Sequence, residues 1–212
     1  MLAVGVAGTW SELALTGGHH ATAQIGTASQ DTATPSGDPS ASAAPVPTAG
    51  DAASVIKADE ILTDTAITAS GYKGTRSTAQ DGTACDQVRA AGIGPAAAPG
   101  SACQGYVRGD YVSAGDAVYT SVTVLGYPSR AAARKAAARI QYSDVAFVQP
   151  GGGLPAMTPQ AAESTYDGKV ETVGRFVTVT VSAYADGHQA DAALSTPTRD
   201  VSFAVGRAVL WF

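Results

Sequence analysis

Residues 103–140 read CQGYVRGDYVSAGDAVYTSVTVLGYPSRAAARKAAARI, and the fold turns on them. Val118, Thr120, Val122 and Val124 alternate with Tyr119, Ser121, Thr123 and Leu125. That period of two predicts a strand with its valine side inward and its Tyr/Ser/Thr side wetter. Ser113, Ala114, Gly115 and Asp116 supply turn chemistry, so 104–125 reads as a hairpin. Pro128 and Ser129 then open a helix, with Ser129 as its N-cap. At helical spacing Ala132, Ala133, Ala136, Ala137 and Ile140 form its buried side. Arg130, Arg134, Lys135 and Arg139 spread over the solvated remainder.

Outward from this stretch, 175–184 (RFVTVTVSAY) has the same alternation, with Val177, Val179, Val181 and Ala183 on one side. Residues 145–148 (VAFV) read as a short strand, 65–75 as a weak strand broken at Gly71, and 55–62 as a short amphipathic helix. Residues 76–102 read as Gly- and Pro-punctuated loop with one helical turn after Cys85, and 160–168 as a further turn. Thr196 and Pro197 look like the cap and first residue of a closing helix. Its core side is Val201, Ala204, Val205, Ala208, Val209 and Phe212, and the 210–212 end is expected to be buried. The order predicts an α+β domain: an antiparallel sheet of four to five strands with helices packed on one face. A ferredoxin-like layout fits that order.

Composition divides the 212 residues. In 18–50, 25 of 33 positions are Ala, Gly, Pro, Ser or Thr, and Ile25 and Val46 are the only large apolar residues. Such a stretch buries too little surface to offset its ordering entropy, so 18–51 is expected to be a disordered linker. Residues 52–212 then form one globular domain. All 13 Lys and Arg lie at or beyond Lys57, against 14 of the 18 Asp and Glu, which leaves the domain near neutral. That balance gives no case for nucleic acid or for an anionic membrane surface.

Met1 to Gly8 (MLAVGVAG), Trp10, Leu13 and Leu15 precede the linker. The apolar run is too short to span a bilayer, and 1–17 reads as the remnant of a signal or membrane anchor. Membrane contact is expected only there. Cys85 and Cys103 are the two cysteines. In an exported chain they read as one disulfide, closing a loop of about 19 residues and stabilising by roughly 3 kcal/mol. Two separate buried thiols would suit a cytosolic address instead.

Cys85, the run from Cys103 through Gly105-Tyr106-Val107-Arg108-Gly109-Asp110-Tyr111, the valine-rich strand and the alanine-rich helix from Tyr127 together resemble a loose group of extracytoplasmic proteins of high-GC actinobacteria. The resemblance covers about 85–184. It implies a location and a fold type, and no catalytic residue. The organisation is also similar to the extracytoplasmic sensor domains of mycobacterial receptor kinases, which carry more cysteines.

Catalytic groupings are sparse. His19 and His20 fall in the linker, and His188 follows a turn glycine with no second ligand at metal spacing. Ser70-Gly-Tyr-Lys73 matches S-x-x-K, but the S-D-N and K-T-G elements that give that motif its chemistry are absent. Gly151-Gly-Gly153 lacks the Lys-Ser/Thr of a phosphate loop and reads as a surface loop or hinge. What remains is a tyrosine series, of which Tyr106 and Tyr119, with Arg108, are the candidate ligand contacts. The expectation is a non-enzymatic extracytoplasmic binding or sensing domain on a stalk, without cofactor or metal. Its partner would be a small molecule or an envelope protein. The alternative is an envelope structural or interaction domain working through Trp211 and Phe212.

Overall fold

The protein is seen in a computed structural model that describes residues 56–94, 99–115, 117–156 and 165–212. The stretches read as an anchor remnant and a linker, 1–51, lie outside these residues. Six strands form one fully antiparallel sheet: β1 (Ala66–Ala69), β2 (Tyr72–Gly82), β3 (Gly105–Ser113), β4 (Val118–Gly126), β5 (Tyr166–Val173) and β6 (Phe176–Tyr184). Their order is β1-β2-β3-β4-β6-β5. Among the described residues three α-helices accompany them: α1 (Ala58–Ile61), α2 (Arg130–Ala137) and α3 (Ser195–Val209).

The β3–β4 hairpin and α2 form where the sequence places them. The Ser129 hydroxyl accepts from the Ala132 amide at 3.1 Å and caps α2, whose Ala133 and the following Ile140 are buried. Cys85 and Cys103 are joined in a disulfide with Cα atoms 6.2 Å apart.

Three expectations for the sheet are corrected. It has six strands rather than four to five, because most of β2 comes from the stretch from 76 read as loop and the start of β5 from the 160–168 turn. Residues 72–82 (YKGTRSTAQDG) lack apolar alternation, yet they pair along β3 from Gly74↔Ser113 to Gly82↔Tyr106. Tyr166, Asp167 and Gly168 pair with Ala183, Ser182 and Val181 instead of forming a turn. Conversely, Val145 makes only a single bridge, to Arg89, in place of the strand expected at 145–148. The ferredoxin-like layout also falls, because four consecutive strands pair antiparallel with their sequence neighbours before the first long helix, so no βαβ crossover opens the sheet.

Helices cover both faces rather than one. Phe176 joins Val107, Tyr111, Val122 and Val124 beneath α1 and α3, where Val201, Val205 and Val209 meet them. Its neighbour Val177 points the other way, with Leu125, Val179 and Val181, under Ala133 and Ile140. The Tyr/Ser/Thr side of β4 is therefore dry: Tyr119 and Thr123 are each 1% exposed. Small hydroxyl residues tolerate burial where a partner is at hand, and Ser121 accepts from the Val148 amide at 2.9 Å.

Candidate binding surface along the first strand

The sequence-expected contacts do not converge. Tyr106 and Arg108 share one face of β3, with the guanidinium 5.9 Å from the ring centroid. The Tyr106 hydroxyl donates to Gln87 at 3.0 Å, and Arg108 Nε donates to Gln80 at 3.2 Å. Tyr119 lies opposite Val112, whereas Tyr106 lies opposite Leu125. Six residues of strand separate those levels, about 20 Å. Tyr119 packs with Val112 and Ala183 in a dry cluster. Tyr111 and Tyr127 are also buried. The Tyr111 hydroxyl donates to the Asp64 carbonyl at 2.9 Å and that of Tyr127 to the Pro99 carbonyl at 2.7 Å.

The opposite expectation, burial of the chain's last residues, is overturned as well. Leu210 is 67% exposed and Trp211 89%, and Phe212 and Phe203 are exposed too. Helical geometry explains this: Val201, Val205 and Val209 spend the apolar face of α3 on the sheet, and 203, 207 and 210–211 fall on the outer side. The exposed aromatics adjoin an open groove of about 620 Å³, whose floor is β1 and whose walls include Asp64, Phe203, Arg207 and Trp211. The Arg207 guanidinium sits 6.0 Å from the Phe203 ring centroid.

A second groove, about 460 Å³, runs along the same strand on the other face. Lys73, Thr75, Val112, Gly151 and Leu154 line it. Its far wall is set by a β-bulge at Ser77, between Arg76↔Tyr111 and Thr78↔Asp110. The bulge turns the Ser77 hydroxyl to donate to Asp110 at 2.9 Å and to accept from the Gly151 amide at 3.1 Å. The glycine loop is thus tied down close to β2. A Cβ at Gly151 would lie 2.7 Å from the Ser77 carbonyl oxygen. Asp110 is fully buried, and desolvation pushes its carboxyl up to about 7 despite the lowering effect of the Ser77 hydroxyl.

At the end of the sheet that carries the Ser70–Gly71 turn, His188 stacks on Tyr184 with ring centroids 3.7 Å apart, and its ring nitrogen meets Asp186. All of these groups are surface-exposed or nearly so. Among the described residues no three His, Cys, Asp or Glu side chains gather as a metal site, and no helix is long and apolar enough to cross a membrane.

The weak strand read at 65–75 and broken at Gly71 is β1, the Ser70-Gly71 turn and the start of β2; its place at the rim of the sheet, between two grooves, had no signal in the sequence. No family model, no curated protein and no solved structure matches the chain.

Proposed function

We propose that this chain is a non-enzymatic extracytoplasmic binding domain, displayed on the Ala/Ser/Thr/Pro/Gly stalk, that works by contact with another protein along β1 and the outer side of α3. One observation carries the reading: Phe203, Leu210, Trp211 and Phe212 stand exposed beside a groove. Apolar side chains gathered in one place on a surface mark contact sites. The Cys85–Cys103 disulfide is compatible with an oxidising, extracytoplasmic location, and the resemblance to extracytoplasmic proteins of high-GC actinobacteria agrees with it. Tyr106, Arg108 and Tyr119 hold the sheet together in this reading rather than touch a ligand.

Native mass spectrometry of the full chain, secreted from an oxidising host and thiol-labelled, tests the proposal. The expected result is a disulfide-closed species without a small-molecule adduct. Free thiols would overturn the location. A retained small molecule would replace protein contact with ligand binding at a pocket.

A further inference from the structure

The outer edge of β1 has no strand beside it among the described residues. Ser70 and Gly71 join β1 to β2 with φ of 45° and 91°. Positive φ at both positions marks a type I′ two-residue hairpin, in which the flanking Ala69 and Tyr72 exchange both backbone hydrogen bonds. Bonding alternates from there, so Ile67 and Ala69 turn their amides and carbonyls towards β2, and Ala66 and Thr68 turn theirs outward. Both are exposed. Among the described residues, two donors and two acceptors without a strand partner therefore line the rim between the two grooves.

That arrangement selects for one kind of occupant. Side chains of an extended strand point alternately to opposite faces. A strand laid beside Ala66 and Thr68 would send every second side chain into the aromatic groove at Trp211 and the others into the groove at Lys73 and Val112. Strand addition gains affinity from main-chain bonds and specificity from such alternating pockets. Lys73, which lines the second groove on the face shared by Thr68 and Thr75, is basic. We propose that the β1 edge receives an extended segment of another protein, with apolar residues towards Trp211 and an acidic residue towards Lys73. This rests on the protein-contact reading above and names the partner's chemistry. A second copy is the poorer occupant, because its β1, Ala66–Ala69, carries no acidic residue to set against Lys73.

The test pans a random dodecapeptide phage library on the full, disulfide-closed chain, then measures synthetic versions of the selected peptides. Enrichment of alternating apolar residues with interspersed Asp or Glu is expected. Binding should slow amide hydrogen exchange at Ala66 and Thr68 by about tenfold or more. Thr68→Pro removes one outward donor at a position where an edge strand tolerates proline, and should weaken binding by about tenfold at unchanged melting temperature. Should that variant unfold, Lys73→Glu serves instead and should turn the selected peptides from acidic to basic. The proposal is overturned by a library without enrichment, by peptides that leave the Ala66 and Thr68 amides unprotected, or by a Lys73→Glu variant with unchanged preference. Protection of those amides in a peptide-free dimer would assign the edge to a second copy. A small-molecule adduct in the native spectrum together with an unenriched library would sink both readings, whereas no adduct and no enrichment would sink strand addition alone.

Discussion

Ser77 and Asp110 are locked together by a 2.9 Å hydrogen bond at the one place where β2 bulges against β3. The carboxyl beneath that hydroxyl is desolvated, and its pKa rises to about 7 from an ordinary value near 4. In the folded state it holds its proton at pH values where the unfolded chain has released it. Stability is then greatest below about pH 4 for this group and declines as pH rises through about 7. Chemical denaturation between pH 4 and 8 should show a loss on the order of 2–4 kcal/mol. Asp110→Asn should flatten that slope. An unaltered slope in the variant would place the effect elsewhere.

Gly151 is held against β2 with no room for a side chain. Gly151→Ala would drive its Cβ to 2.7 Å from the Ser77 carbonyl, a backbone atom that cannot rotate away. The loop must lift and the Gly151–Ser77 bond must break, at a cost of about 1 to 3 kcal/mol. Urea midpoints of the variant and the parent would check it.

The disulfide ties the 3₁₀ turn Cys85–Val88 to the lead-in of β3. Replacing both cysteines by serine should lower unfolding free energy by roughly 3 kcal/mol. Reducing agent should have a comparable effect on the parent and none on the double variant in the same denaturation experiment.

Tyr127 has its ring fully buried and its hydroxyl 2.7 Å from the Pro99 carbonyl. Tyr127→Phe keeps the packing and strands that carbonyl, so stability should fall by about 1 to 2 kcal/mol. A melting temperature equal to the parent's would mean that water takes over the bond.

Much of the framework was legible because it is written in periodicity. The alternation at 118–125 and 175–184 and the alanine face of α2 each name an element and its buried side. What escaped was written in neighbours. β2 is Gly-, Thr- and Ser-rich, and it becomes a strand because β3 offers it a ladder, a tertiary preference that outweighs its own. The hydroxyl side of β4 looked wet because nothing local announces Val148, whose amide Ser121 receives from 27 positions away. The closing residues of α3 looked destined for burial by their chemistry, yet the helix had already committed its other face. The candidate surface lay outside sequence reasoning for the same reason: its floor, its walls and its free backbone groups come from β1, β2, the glycine loop and α3.

The strand order β4-β6-β5 has a consequence for how the chain folds as it is synthesised from its N-terminus. β6 is the last strand in the sequence and lies between two earlier ones. A chain emerging N-terminus first therefore presents β4, with Val118, Val122 and Val124, as an open border until residue 184 is outside. Synthesis in that order keeps the sheet unsealed until most of the chain has been made. A stall before residue 176 would leave that valine border free to capture a neighbouring nascent chain.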